Sequence, residues 1–140
     1  MTTTLTAHAL ETIRQHGADT FPDECCGALI VVDDVVVEAV RMENTTTDGA
    51  ARRFRIAPDA YLFAEQRARD RGGSVAGFYH SHPNAPARPS AYDLEHAWPN
   101  LTYIIMSVRD GVPEDIRVWH LRHDRSGYDE GQLKSPAAGS

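Results

Sequence analysis

The sequence predicts an α/β (α+β) domain in which helices flank one β-sheet. Its 140 residues, 41% apolar and 24% charged, are ordinary for a single globular domain. Short apolar runs alternate along the chain with segments of helical periodicity, and no repeat or linker divides it. Strands interleaved with helices favour a sandwich of sheet and helices over a bundle or a β-barrel.

The first half predicts two helices, a hairpin, a polar loop and a further short strand. In chain order these are a helix Leu5–His16, strands Cys26–Val32 and Val35–Val40, a flexible loop Asn44–Ala51, a short strand Arg53–Ile56 and a helix Pro58–Arg71. In the first helix Leu5, Ala9 and Ile13 share a face, and Gly17 is expected to end it. The second begins with proline and stops before Gly72-Gly73.

The second half predicts three strands and one helix. They are a strand Val75–His80, an irregular proline-rich segment Pro83–Pro89, a helix opened by Ser90 and ended by Pro99, and strands Leu101–Val108 and Ile116–Leu121. From Asp124 onward the chain is polar, with Ser, Pro and Gly. We therefore expect a domain over residues 1–123 and a disordered tail over residues 124–140.

Charge and cysteine placement argue against several classes of protein. A net charge of −6 gives no positive field that would attract nucleic acid or an anionic membrane. Cys25 and Cys26 are adjacent, so they provide no disulfide framework. The polar N-terminal segment does not resemble a secretory signal, and no apolar run approaches the ~18 residues of a membrane span. We expect a cytoplasmic protein.

Two histidines close to the end of a predicted strand indicate a metal site. Residues two apart on a strand point to the same side, so His80 and His82 project together. The helix after the proline-rich loop then brings back Asp93, an oxygen ligand. Two nitrogen donors and one oxygen donor suit a catalytic zinc site, which leaves a fourth position to water. The pattern predicts one Zn²⁺ per chain.

Ser90 and Asp93 also have a purely structural interpretation. Ser-x-x-Asp at a helix start forms a capping box, with Ser90 at the N-cap. Capping alone does not explain the two histidines just upstream, and a capped helix could equally hold a ligand in place. Other His-x-His chemistries fit poorly, since a nucleobase deaminase would need His-x-Glu and Cys-x-x-Cys, and an amidohydrolase barrel about 250 residues.

The joint pattern is His-x-His, seven residues, Ser, two residues and Asp, with Glu24 upstream before a cysteine pair and a glycine. It closely resembles the JAMM metalloprotease family, also called the MPN domain. The segments that carry the resemblance are Pro22–Gly27, Phe54–Pro58 and Gly77–Pro83. The resemblance runs from about Leu5 to Leu121.

This resemblance implies a curved mixed sheet flanked by helices, related in architecture to the cytidine deaminases. It implies that His80, His82 and Asp93 are the zinc ligands. Glu24 would be the general base, and Ser90 would stabilise the oxyanion. Without the resemblance, Glu24 would be interpreted as a solvated loop carboxylate. Members that act only as scaffolds have usually lost ligands, so the intact set favours an enzyme.

The resemblance is strongest to the short bacterial branch. It implies a ubiquitin-like (β-grasp) sulfur-carrier protein as substrate, with cysteine or a short tail released after its Gly-Gly in cysteine biosynthesis. A general isopeptidase of the deubiquitinase kind and a non-catalytic module that binds ubiquitin-like proteins remain alternatives. Arg52, Arg53 and Arg88 are candidates for substrate binding. Solvated surface charge is an equally good interpretation of each arginine.

Overall fold

The computed structural model describes residues 2–47, 49–51, 53–98 and 100–135. This part of the chain forms eight strands and three helices. Their bounds are β1 Thr2–Leu5, α1 Ala7–Thr20, β2 Cys26–Val32, β3 Val35–Met42, α2 Pro58–Asp70, β4 Ser74–Pro83, α3 Ala91–His96, β5 Thr102–Arg109, β6 Val112–Leu121, β7 Tyr128–Glu130 and β8 Gln132–Lys134. No helix among these residues is long and apolar enough to cross a membrane.

All eight strands belong to one mixed sheet, in the order β7-β6-β5-β4-β2-β3-β1-β8. β4 pairs with β5 in parallel, and β1 is parallel to both β3 and β8, whereas the other pairs are antiparallel. Only Gly131 separates β7 from β8, although they lie at opposite ends of this order. The sheet is therefore curved until it nearly closes. The predicted fold class, a curved mixed sheet flanked by helices, is confirmed.

The sheet has two buried faces, because its central strands alternate between two cores. On the α1 face, Tyr79 and Leu29 pack with Ile13 of α1. On the α2 face, Phe78 and Ile30 pack with helix α2. The alternation along β4 places His80 and His82 on the α2 face, beside Phe78.

The predicted helix stop at Gly17 is wrong, since α1 continues to Thr20. A Cβ at residue 17 would lie 2.3 Å from the Met106 side chain, so glycine allows α1 to pack closely on the sheet. The helix also starts later than predicted, because Thr2–Leu5 forms a strand. Thr6 caps the helix by accepting the Ala9 N–H at 3.1 Å.

Three strand predictions are corrected. β4 runs past the predicted end at His80 to Pro83, because it keeps its parallel register with β5 up to that residue. β6 begins at Val112, earlier than the predicted Ile116. Arg53–Ile56 does not form a strand. It is attached to the preceding segment by a backbone bond from the Thr45 N–H to the Arg55 carbonyl, at 2.9 Å.

The region predicted as a disordered tail contains β7 and β8. β7 pairs with β6, and β8 pairs with β1. Tyr128 donates its hydroxyl to the Asp93 carbonyl at 3.0 Å, and Leu133 packs against the core of the α1 face. Each strand has three residues, too few for the alternation that identifies strands in sequence. Residues 136–140 lie outside the described part, and the predicted domain limits stay a prediction.

Candidate metal centre

Three buried donor atoms converge between β4 and α3. The Nε2 atoms of His80 and His82 are 3.2 Å apart. Asp93 Oδ2 lies 3.3 Å from the first and 3.1 Å from the second. Bonds of about 2.0–2.1 Å in a tetrahedral zinc site place the donors about 3.3–3.4 Å apart. These residues therefore fit one Zn²⁺, as the sequence predicts, with three protein donors on one side of the ion.

The capping box predicted from the sequence is present and orients the carboxylate. Ser90 Oγ accepts the Asp93 N–H at 3.0 Å, and the Ser90 N–H donates to Asp93 Oδ2 at 2.9 Å. The oxygen that completes the box is thus the same atom that faces the histidines. Capping and metal binding are compatible because one geometry serves both.

The two imidazoles are oriented in different ways. His82 Nδ1 lies 2.8 Å from the Pro86 carbonyl, which selects the tautomer whose Nε2 is free to bind a metal. His80 Nδ1 is buried and has no hydrogen-bond partner among the described residues. Instead, the Phe54 ring stacks on the His80 ring, with centroids 4.6 Å apart and planes at 28°.

Glu24 joins this centre from the loop before β2, where it is 2% exposed. A carboxylate oxygen of Glu24 and a nitrogen of each imidazole lie within 4.8 Å of one another. Oε1 of Glu24 is buried without a hydrogen-bond partner among the described residues. A buried carboxylate oxygen with no partner is costly unless an ion or water satisfies it. The structure thus brings Glu24 to the two histidines.

Ser81 is a residue that sequence reasoning missed. Its hydroxyl accepts the Cys25 N–H at 2.8 Å, and its own N–H donates to the Cys25 carbonyl at 3.1 Å. These bonds attach the residue after Glu24 to the residue between the two histidines. The only sequence signal was the position of Ser81 inside the His-x-His pattern.

The pKa values reflect burial and the crowding of these groups. Burial opposes ionisation of Asp93, but the two imidazoles and a backbone N–H hold its pKa well below the usual range. Burial lowers the pKa of His80, whereas at His82 the bond and charge of Asp93 outweigh burial and raise the pKa. Burial raises the pKa of Glu24 to about 8. A bound dication would favour the ionised carboxylates and neutral imidazoles.

A cleft of about 780 Å³ opens from the centre along the α2 face. Its walls are largely aromatic, and they include Phe54, Tyr61, Phe78, Tyr92, Trp98, Tyr103 and Tyr128. His80 and Asp93 also line it, so the cleft leads to the donor atoms. Trp98 and Leu62 are 59% and 63% exposed. The cleft therefore presents apolar surface to a substrate beside the metal centre.

The arginines predicted to bind substrate lie in different parts of the structure. Arg53 is exposed, and its guanidinium carbon lies 5.2 Å from the centroid of the ring of Tyr92, which lines the cleft. Arg88 is exposed in the loop between the metal-facing residues. Arg52 lies outside the described residues. Arg55 lines the cleft and was not singled out from the sequence. The binding roles of these arginines stay a prediction.

Comparisons with known proteins agree with this geometry. Residues 6–122 match the family described as prokaryotic homologs of the JAB domain. A desampylase of Haloferax volcanii is 32% identical over 110 residues, which cover 74% of this chain and 78% of that protein. These matches support the predicted enzyme class, a hydrolase acting on peptide or isopeptide bonds.

Solved structures share the fold. A protein from Desulfitobacterium hafniense has a TM-score of 0.82 at 31% identity, with 97% of this chain and 93% of that chain covered. A JAB1/MPN domain protein from Archaeoglobus fulgidus has a TM-score of 0.60 at 21% identity, with 96% of both chains covered. Its likeness establishes the architecture. With the match over residues 6–122, this chain belongs to the prokaryotic branch of the JAB domain family, the JAMM/MPN family.

Proposed function

We propose that this protein is a zinc metallopeptidase that cleaves the amide bond after the C-terminal Gly-Gly of a ubiquitin-like sulfur-carrier protein. His80, His82 and Asp93 are the zinc ligands, Glu24 is the general base, and Ser90 is the oxyanion donor. The observation that carries the proposal is the meeting of three donor atoms 3.1–3.3 Å apart beside an unpartnered buried carboxylate.

Each side chain has one task in hydrolysis. When bound, the metal would polarise the scissile carbonyl and make water acidic. Glu24 takes the proton from the attacking water and delivers it to the leaving amine, since no hydrogen bond from the described residues holds its Oε1. The Ser90 oxygen already accepts the Asp93 N–H, which leaves the hydroxyl hydrogen to donate to the developing oxyanion.

The relatives and the cleft both support the proposed substrate class. The relative named desampylase supports a ubiquitin-like protein as the substrate. A Gly-Gly tail has no side chains, so it can lie extended in a groove and bond through its backbone. A sulfur carrier that releases cysteine is the finer proposal, and the compact chain, with no long insertion, favours it.

One observation favours a second candidate, an isopeptidase that acts on larger conjugates. The cleft has a volume of about 780 Å³ and exposed apolar residues at its rim, more than a leaving cysteine needs. A module that only binds ubiquitin-like proteins is disfavoured, because the donor set and the base are both intact.

A direct test offers the zinc-loaded protein two substrates. One is a sulfur carrier with cysteine added after its Gly-Gly, and the other is the same carrier in isopeptide linkage to a protein lysine. Mass spectrometry should show loss of one cysteine from the first, with no cleavage by Glu24→Gln. Efficient cleavage of the isopeptide alone would replace the proposal by the second candidate. If neither substrate is cleaved, the remaining candidate is a module that binds ubiquitin-like proteins without cleaving them.

A further inference from the structure

We propose that Asn44 is a positioning residue that sets Glu24 and His80 in place together. The roles of these two residues rest on the proposed function, whereas the contacts of Asn44 do not. Asn44 follows β3 and lies half-buried between the loop that carries Glu24 and the segment that carries Phe54. Among the described residues it bonds none of the converging donor atoms and does not itself line the cleft, so its effect on the site must pass through backbone bonds to its neighbours, among them Arg55 of the cleft lining.

The Asn44 amide uses its full hydrogen-bonding capacity on backbone groups. Its Nδ2 donates to the Glu24 carbonyl at 3.0 Å and to the Arg53 carbonyl at 2.9 Å. Its Oδ1 accepts the N–H groups of Thr46 and Arg55, both at 3.1 Å. A primary amide offers two N–H donors and two acceptor lone pairs, and all four are engaged. Only asparagine combines these groups at this length, so the site is specific for the residue.

One of these bonds holds the general base. Both backbone polar groups of Glu24 bond to the segment that begins at Asn44: the carbonyl to Asn44 and the N–H to the Ala50 carbonyl at 2.7 Å. Among the described residues, the Glu24 Oε1 atom has no hydrogen-bond partner that could hold the carboxylate. Placement of the carboxylate therefore depends on how firmly the backbone of Glu24 is held. Asn44 supplies one of the two bonds that do so.

The other bonds hold the ring that covers His80. Asn44 bonds the residue before Phe54 and the residue after it, so it brackets the stacked phenyl ring. His82 is oriented by the Pro86 carbonyl, but no described residue makes such a bond to His80 Nδ1. Stacking by Phe54 is the contact that takes its place. Asn44 thereby orients one metal-facing imidazole as well as the base.

The decisive variant is Asn44→Asp, which keeps the shape and removes the donors. A carboxylate oxygen would face the Glu24 and Arg53 carbonyl oxygens at the distances where the amide now donates. Asn84→Asp is the matched control, because the one side-chain hydrogen bond of Asn84 to a described residue is accepted, from the Asp110 N–H at 2.8 Å. Asn44→Ala is the second variant, since it loses the bonds without adding repulsion.

Two readouts test the positioning role. At saturating zinc, kcat per bound zinc should fall about 10–100-fold in both Asn44 variants, the range typical of residues that orient a metal site. KM should change little, and Asn84→Asp should behave as the wild type. Amide hydrogen exchange should accelerate at Glu24 in both Asn44 variants, and at Arg55 in Asn44→Ala, which removes the acceptor of the Arg55 N–H. Chelator competition should show faster zinc loss in both variants.

The outcomes separate this inference from the proposed function. An inactive wild-type protein would refute the proposed function, while the exchange and chelator measurements would still test Asn44. A lower melting temperature with unchanged kcat per zinc would mean that Asn44 is merely structural and would overturn the inference. Unchanged exchange at Glu24 in Asn44→Asp would overturn it too.

Discussion

The two faces of β4 bury the same chemical group in opposite ways. On the α1 face, His16 Nδ1 lies 2.8 Å from the Tyr79 hydroxyl, and the two rings meet edge to face. On the α2 face, His80 and His82 turn their Nε2 atoms toward each other and toward Asp93. The first imidazole has a neutral partner within the core. His80, His82 and Asp93 instead point several lone pairs at one place, an arrangement suited to a bound cation.

The difference shows that burial of a histidine does not by itself identify a site. His16 is 8% exposed, about as buried as His82 at 7%. What distinguishes the α2 face is the convergence of lone pairs from separate side chains on one point. This convergence requires both strand alternation and the return of the chain through α3. Matched substitutions of histidines on the two faces therefore test whether zinc binding depends on it.

The largest effect should come from removing a ligand. His80→Ala or His82→Ala should lower zinc content from about one per chain to near zero, because two protein donors hold zinc poorly. Elemental analysis after dialysis measures the zinc content per chain. The matched control on the other face is His16→Ala, which should keep its zinc while losing about 1–3 kcal/mol of stability, because Tyr79 is left unpaired. Full zinc in both β4 variants would refute the site.

The next largest effect should come from replacing the proposed general base, Glu24. Glu24→Gln should keep zinc and fold but lower kcat by about 10²–10⁴-fold, the usual range for a general acid–base group. Turnover of the carrier–cysteine adduct and zinc content should be measured on one preparation. Wild-type turnover by Glu24→Gln would show that Glu24 is an ordinary buried carboxylate and not the general base.

Ser90 should show an intermediate effect on two measurements. Ser90→Ala should reduce kcat by ~100-fold, the scale for loss of one oxyanion donor. It should also cost about 1 kcal/mol of unfolding free energy, because the helix loses its cap. If urea melts show the stability loss while kcat is unchanged, Ser90 acts only as a cap.

The smallest effect concerns pH and the α1 face. Burial, helped by Arg41 and opposed by Asp19, lowers the pKa of His16 to about 4. The unfolded chain therefore binds this proton first, and the contribution of His16 to stability is present above pH ~6.5 and lost as pH falls toward 4. Between pH 6.5 and 5 the loss should be about 1–2 kcal/mol.

The check on this prediction is a double comparison of stability. Urea unfolding of the wild type and of His16→Gln should be followed at both pH values, since groups outside the α1 face contribute equally to both proteins. Equal losses in the two proteins would contradict the assignment to His16.

The sequence predicted the meeting of His80, His82 and Asp93 because local spacing encodes it. Two residues along a strand and three residues into a capped helix are short-range relations. Glu24 lies far away along the chain, so its placement rested on family resemblance. The catalytic and ligand roles of these residues remain predictions.

Other features could not be found from spacing. Asn44 and Ser81 act through bonds to backbone atoms of remote residues, and such bonds leave no periodic signal. Gly17 was misjudged because a packing glycine and a helix-ending glycine look the same in sequence. β7 and β8 were missed because three-residue strands depend on their partners rather than on their own pattern.

The near closure of the sheet also bears on self-association. Open edge strands present unpaired backbone groups to which other chains can add, leading to aggregation. Here the seven residues from Tyr128 to Lys134 pair with β6 on one side and with β1 on the other. Without them, the C-terminal end of β6, Trp119 to Leu121, would lose its backbone partners and lengthen the open edge of the sheet. This short segment shields that part of the edge from intermolecular pairing, and through Tyr128 it also supports the helix that carries Asp93.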